Sequence, residues 1–397
     1  MTVDTDDRNA TLAGAKGTDA RADAVSARRD EREKFDALRE RCPVAPRGSK
    51  GWSVYRYRDV ERIVADHDAF SNAVSRHLSV PNGMDPPEHT VFRRALEPYF
   101  SNARVAKFEP QCRRLATRLG DEFEDGATVE FMDAFAGPFA AAAQCAFLGW
   151  PRSLEGTLRT WTARNQSATR DGDRERLADL AREFESRVKS LLAERRERRV
   201  SPVADLTAGL LHERVDGRPL RIEEIVSILR NWTVGEVGTI QAAVGILAGY
   251  LTDHPDLQRQ LRAAPERLPY AIDEILRLDG PLVANRRRAT CPVTLGGHPI
   301  AAGEQLSIVW IAANRDPEVF EDPDDFRWDR DPADNLLYGA GIHVCPGAPL
   351  ARMELRVAME ELLRATAWIE PAEGERARRA TSPAAGFERL PVRVHRD

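Results

Sequence analysis

The stretch Tyr338-Gly339-Ala340-Gly341-Ile342-His343-Val344-Cys345-Pro346-Gly347-Ala348-Pro349-Leu350-Ala351-Arg352-Met353-Glu354-Leu355 decides the fold. Three glycines surround one cysteine, with His343 two residues before it. Glycine lets a backbone turn tightly around a flat object. A helix expected from near Ala348 would aim free N–H groups and the positive end of its dipole at the sulfur. Both effects favour a thiolate, the form of cysteine that binds metal. Core packing alone does not explain the glycines around this cysteine.

Working back from this loop, residues Asn314 to Asn335 are crowded with Asp, Pro and Arg and read as a long meander that needs tertiary anchors. A helix is expected over Pro265 to Leu278, then strands at Val293 to Leu295 and Gln305 to Trp310, the last rich in β-formers. The longest helical pattern runs from Ile222 to Asp253 and is apolar on nearly all sides after Leu229. At 1.5 Å per residue, roughly 30 residues cross a whole domain, which predicts a central buried helix. Inside it lies Val234-Gly235-Glu236-Val237-Gly238-Thr239. Each glycine costs about 1 kcal/mol relative to alanine in a helix interior. The pair therefore marks either the approach of a bulky group or a kink or tight helix crossing.

Nearer the N-terminus, residues from about Phe108 to Arg199 read as amphipathic helices broken at Gly149-Trp150-Pro151. Trp52 to Tyr57 alternates like a strand, Asp59 opens a helix through Ala65, and Glu88 to Phe100 restarts as a helix after Asp85-Pro86-Pro87. Residues 1–34 have too few large apolar side chains to offset the entropy of ordering. They are expected to form a disordered tail before a single domain over 35–397.

The chain has 397 residues, 42% of them hydrophobic, with 58 basic against 63 acidic side chains and a net charge of -5. That balance implies no general attraction to nucleic acid or anionic lipid and leaves small molecules as the expected partners. Five unpaired, irregularly spaced cysteines argue against a disulfide framework, and a reducing cytoplasm fits them. The eight histidines and five cysteines show no zinc-like spacing. No apolar run of about 18 residues and no signal segment stand out, so no membrane association is expected.

The cysteine loop resembles the heme-binding signature of the cytochrome P-450 family, in which the cysteine is the axial ligand to the iron of heme b. The family usually has Phe at the place of Tyr338, a change that keeps a ring near the sulfur and adds a hydroxyl needing a partner. Thiolate ligation pushes electron density onto iron and favours O–O cleavage. Glu274-Ile275-Leu276-Arg277 resembles the family's Glu-x-x-Arg pair, whose members share one helix face. Arg330 matches the arginine that joins it from the meander, so the three imply a structural lock. Asp85 to Arg94 resembles the segment that grips the heme propionates, with His89 and Arg93 at i, i+4. Arg287 and His343 match the other propionate contacts, although Arg286 or Arg288 could take the place of Arg287. The resemblance runs from about Phe35 to the C-terminus. It implies a mainly α fold, a triangular α-helical domain with a small β lobe, and heme between the central helix and the cysteine loop.

The family's central helix usually carries Ala-Gly-x-Asp/Glu-Thr. Aligned as Val234 to Gly238, this chain has Val237 at the acid position and Gly238 at the threonine position. Glu236 and Thr239 then lie roughly 100° to either side on a regular helix, and a π-bulge would turn Thr239 inward. The resemblance implies a monooxygenase acting on a small organic, secondary-metabolite type substrate, with protons moved by Glu236, Thr239, water or the substrate. Ring closure, aryl coupling, desaturation and peroxide-driven oxidation are the alternatives within this chemistry. A catalytically silent relative that binds a partner is the alternative of another class. By place in the family, Asn231, Val234, Val237 and Gly238 would face substrate, with the loop Ser75 to Met84, the turn Leu282 to Asn285 and Ala385 to Phe387. Electrons are expected from a separate ferredoxin or flavodoxin. Arg94, Arg104, Lys107, Arg113 and Arg114 would form either its docking face or a solvated helix face.

Overall fold

The computed structural model describes residues 32–48, 51–75, 77–382 and 384–396. Residues 1–31 of the expected tail lie outside the described residues, whereas 32–34 already belong to a helix, α1 (32–41). Arg32 donates to the carbonyl of Leu278 at 2.8 Å, and Arg39 donates to that of Ala312 at 2.9 Å. These bonds tie α1 to the rest of the domain.

The helices that follow are α2 (Tyr57–Ala65), α3 (Glu88–Leu96), α4 (Asn102–Asp121), α5 (Gly137–Leu148), α6 (Glu155–Asp171), α7 (Arg174–Glu197) and α8 (Leu206–His212). After them come α9 (Ile222–Asp253), α10 (Pro255–Ala263), α11 (Leu268–Leu278), α12 (Trp310–Ala313) and α13 (Ala348–Ala365). Helix α9 has the ends its apolar pattern predicts and runs without a π-bulge or a break at its glycines. It packs against α5, α11 and α13, and α4 closes the group against α5 and α13. By length and composition α9 could cross a bilayer, which corrects the reading that no such segment exists; 67% of its most apolar window is buried inside the protein. It is the core helix of the larger hydrophobic cluster.

The β lobe has a separate core. Strands β1 (Val44–Pro46), β2 (Trp52–Val54) and β3 (Phe70–Ser71) join β7 (Ala284–Ala289) and β10 (Gln305–Val309) in the order β1-β2-β10-β7-β3. A second sheet unites β4 (Thr128–Glu130), β11 (Trp368–Pro371) and β14 (Pro391–His395). Hairpins form from β5 (Arg214–Val215) with β6 (Arg218–Pro219), β8 (Val293–Leu295) with β9 (His298–Ile300), and β12 (Arg378–Arg379) with β13 (Phe387–Arg389). The expected strand through Trp310 stops at Val309, because Trp310 begins α12.

The meander is held by the three residues singled out for it. Arg277, 1% exposed, makes two bonds to Glu274 at 2.8 and 3.0 Å and donates to the carbonyls of Asn314 and Pro323 at 2.8 and 2.9 Å. Arg330 reaches the same carboxylate at 2.9 Å and the carbonyl of Asp322 at 2.8 Å. A bidentate guanidinium on a buried carboxylate satisfies both charges, and each spare N–H fixes a carbonyl that has no ladder partner. Replacing Arg277 with Ala leaves the Glu274 charge buried with only Arg330, so a loss of about 3–5 kcal/mol is expected. A urea titration of the variant checks this, and an unchanged midpoint would refute the anchoring role.

Candidate active site

Backbone geometry explains the glycines around Cys345. Gly339 and Gly341 have φ of +70° and +69°, and a Cβ at Gly341 would lie 2.1 Å from the carbonyl oxygen of Val64 on α2. Only glycine fits that approach. The Cys345 N–H donates to the carbonyl of Tyr338 at 2.8 Å and closes the loop. The N–H groups of Gly347 and Ala348, at the start of α13, point at the sulfur and lower its pKa, but burial outweighs them and holds the thiol above its usual value. A cation on the sulfur is what would tip it to thiolate. The residue is accessible although protein packs densely around it, so it opens into the interior of the molecule.

The middle of α9 behaves in the same way. Val234 is 44% exposed in a helix most of whose residues are buried, and a Cβ at Gly235 would meet nothing within 4 Å. Phe100 connects the two walls: it would touch a Cβ at Gly347 at 3.8 Å, and its ring meets Trp232 of α9 edge-on at 5.0 Å.

At one corner of this interior lies a group of cations and imidazoles. The rings of His89 on α3 and His343 in the loop sit 4.3 Å apart, and both Nε2 atoms are buried without a partner. Burial, then His89 and Arg287, pushes His343 down to about 3, and burial also lowers His89, so both are neutral at pH 7. Alternation along β7 turns Arg287 inward, 5% exposed, and leaves Arg286 and Arg288 outside, which settles the register. The Arg287 guanidinium donates to the carbonyl of Arg286 at 3.0 Å, and burial lowers it to about 10. The nearby anion, Asp85, is occupied by Ser71 and by the Asn72 N–H. Arg93 is drawn to Glu97 at 2.8 Å while still acting electrostatically on His343 and Cys345. A buried guanidinium and two unpartnered imidazoles call for an anionic ligand with hydrogen-bonding oxygens. A porphyrin carrying two carboxylates, with a metal at Cys345, fits this donor set.

The remaining candidates separate on α9. Thr239 turns its hydroxyl back to the carbonyls of Gly235 at 2.6 Å and Glu236 at 3.1 Å, which places it on the open Gly235 side without any π-bulge. Val237 is fully buried in the core. A Cβ at Gly238 would collide with Gln166 of α6 at 2.5 Å, so that glycine admits a helix crossing. Neither therefore lines the open interior, and both are withdrawn as substrate contacts. Asn231 is also committed: its amide donates to Ser79 Oγ at 3.1 Å and the Val80 carbonyl at 3.0 Å, and Ser227 bonds both Leu78 and Val80. Together they clamp the loop before α3. Phe387 and Gly386, expected near substrate, pack on α9 at Gly249 and Ala242. Glu236 points into the helix bundle, where Gln144 of α5 lies 2.7 and 2.6 Å from its two oxygens.

Sequence reasoning missed Glu354 on α13, whose carboxyl is 0% exposed with both oxygens unpartnered. Its signal was its place on the apolar stripe with Leu350 and Val357. The Tyr338 hydroxyl is buried and unpartnered, and its ring carries the Arg352 guanidinium at 4.3 Å.

Comparison with known proteins bears on this architecture directly. The cytochrome P-450 family profile matches residues 165–393. Cyclomarin C epoxidase of Salinispora arenicola is 30% identical, over 86% of this chain and 88% of its own. Mycinamicin IV hydroxylase/epoxidase of Micromonospora griseorubida is 31% identical, over 83% and 87%. The erythromycin C-12 hydroxylase of Saccharopolyspora erythraea is 29% identical over 93% and 96%. Among solved structures, a mutant of EryK in complex with erythromycin B superposes with a TM-score of 0.85 at 27% identity, covering 94% of this chain and 97% of that one. CxnD, an enzyme for C–S bond formation in chuangxinmycin biosynthesis, gives 0.84 at 28% identity, over 92% and 94%. With a glycine-wrapped cysteine facing a long central helix, and relatives aligned along nearly its whole length, the chain belongs to the cytochrome P-450 family of heme-thiolate monooxygenases.

Proposed function

We propose that this chain is a tailoring monooxygenase that oxidises a small secondary metabolite, with electrons from a ferredoxin or flavodoxin. The observation that carries this reading is the accessible Cys345 on one side of Phe100 and Trp232 of α9 on the other, with the accessible Val234–Gly235 next along that helix. Relatives named for hydroxylation or epoxidation of complex natural products support the substrate class. Cys345 would be the axial ligand, and His89, Arg93, Arg287 and His343 would hold the propionates. Bound heme supplies the oxidising chemistry. Inserting one oxygen atom of dioxygen consumes two electrons and two protons and releases the other atom as water.

The chain's own residues would set the geometry. The clamp from Asn231 and Ser227 fixes the loop Leu78–Val80 against α9, while Val234 and Gly235 would leave room for substrate. The Thr239 hydroxyl shares the open side with the Gly235 carbonyl and can orient a water there. Docking of an acidic donor would fall to Arg94, Lys107 and Arg114, which are exposed. Arg113 does not join them, because Glu109, Glu360 and Glu361 hold it at 3.1, 2.6 and 2.8 Å. Arg104 lies over the Tyr99 ring at 5.2 Å.

A second reading, oxidation without oxygen insertion, is favoured by one observation. Val237 and Gly238 stand where the family usually carries its acid and threonine, and a similar structure belongs to an enzyme that forms a C–S bond. The partner-binding alternative is disfavoured by the unpartnered polar cluster and the accessible sulfur.

Three measurements test the proposal. The reduced protein under carbon monoxide should show the red-shifted Soret band of a thiolate complex, and Arg287→Leu should lose heme about 10–100-fold faster, for a charge-assisted bond of about 1.5–3 kcal/mol. Equal heme retention would remove Arg287 from the propionate site. With labelled dioxygen and a converted substrate, the product should carry one labelled oxygen; full conversion without label would replace the monooxygenase reading by the coupling one.

A further inference from the structure

Behind the accessible stretch of α9 lies a polar cluster that the proposed chemistry does not use. Glu236 of α9 and Glu354 of α13 both sit where those helices pack with α4 and α5. Gln144, 0% exposed, caps Glu236 at 2.7 and 2.6 Å, and the other end of its amide lies 3.4 Å from the Thr233 hydroxyl. Glu354 has no hydrogen-bond partner on either oxygen. Both acids raise the buried Cys112 thiol of α4 and Glu236 also raises that of Cys145 on α5, thiols on which Glu109, Arg113 and Glu155 act as well. Among the described residues no cation bonds to either carboxylate. Two ionised carboxylates here would repel each other, and Glu354, wholly buried, would have no solvation of its charge.

We propose that Glu236 and Glu354 form an acid pair that retains a proton at neutral pH and takes one up when negative charge is added at the Cys345 site. Burial raises Glu236 to about 8, and burial together with Glu236 raises Glu354 well above the usual carboxylate range. The Gln144 amide suits either state, since its nitrogen can donate to an ionised Glu236 and its oxygen can accept from a protonated one. The link to Cys345 is electrostatic: the Glu236 charge is among the influences that raise the Cys345 thiol. By reciprocity, an electron arriving at a metal on that sulfur raises the pair's proton affinity. The balance is one electron from the reductant to the metal and one proton from solvent to a carboxylate.

The sign of the pH effect follows from the raised values. The native pair keeps protons that the unfolded chain loses above the ordinary carboxylate range, so stability falls as pH rises from about 5 through about 8. Each retained proton changes the unfolding equilibrium up to tenfold per pH unit.

The test uses the heme-loaded wild type, Glu236→Gln and Glu354→Gln, both near-isosteric. Electrode titration with mediators between pH 6.5 and 9 should show a wild-type potential that falls as pH rises, with a limit of about 59 mV per unit for one proton per electron. Both variants should be flatter. Urea unfolding over pH 5 to 9 reads the same pair without reference to the metal, and either variant should show a shallower decline than the wild type. One common potential slope in all three proteins would overturn the coupling to Cys345, and one common urea profile would overturn the shared proton.

Discussion

The structure depends on holding one sulfur atom accessible in a place that disfavours its charge. Burial pushes the Cys345 thiol up, and the N–H groups of Gly347 and Ala348 offset only part of that. A metal on the sulfur, as proposed for the site, would resolve the arrangement, and the loop that would present it is held rigidly without one. Rigidity comes from Gly341 pressed on the Val64 carbonyl and from the Cys345 N–H on Tyr338. The meander leading to the loop is pinned in turn by Glu274, Arg277 and Arg330. The contacts of Gly341 with Val64 and of Arg330 with Glu274 join segments far apart in sequence, so the site forms only when the α domain and the β lobe are both in place.

The cationic corner follows the same logic with opposite charge. His89 and His343 are too deeply buried to be charged, which leaves Arg287 and Arg93 as the fixed positive groups. Guanidinium keeps its charge where imidazole gives it up, so arginine fits a corner that must stay cationic at neutral pH. Arg93 shares its charge with Glu97, and Arg287 has no such competitor bonded to it. Of the two, Arg287 holds the less neutralised positive charge.

Much of this was legible in the residues. The limits of α9 followed from its unbroken apolar pattern and the loop from its glycines, whereas the meander lock of Glu274, Arg277 and Arg330 came from the family resemblance. What stayed hidden depended on pairing across long sequence distances. The segment Ala-Asn-Arg-Arg-Arg-Ala contains no strong β-former, and it becomes strand β7 because β10 and β3 pair with its two edges. Only that pairing imposes the alternation that selects Arg287 from three consecutive arginines. Arg113 looked like a free surface cation because its partners, Glu360 and Glu361, lie in a helix nearly 250 residues away. The roles of Val237 and Gly238 failed for a related reason: a one-residue change in helix register moves a side chain about 100°, and the pattern Val-Gly-Glu-Val-Gly-Thr supports more than one register.

The two acids at the bundle centre show where a local rule is broken without local compensation. A carboxylate at a core position normally brings a cation with it, as Glu274 does with Arg277 and Arg330. Glu236 and Glu354 instead face an amide, a hydroxyl and two thiols, none of which carries positive charge. The same fold therefore treats buried carboxylates in two ways. Where the purpose is to fix a chain segment, the charge is kept and matched. Where no cation is supplied, neutrality can come only from a proton, and that proton answers to any charge placed nearby. An acid pair within electrostatic reach of Cys345 is poorly suited to stabilising the bundle, and a function tied to charge at the sulfur accounts for its position better than packing does.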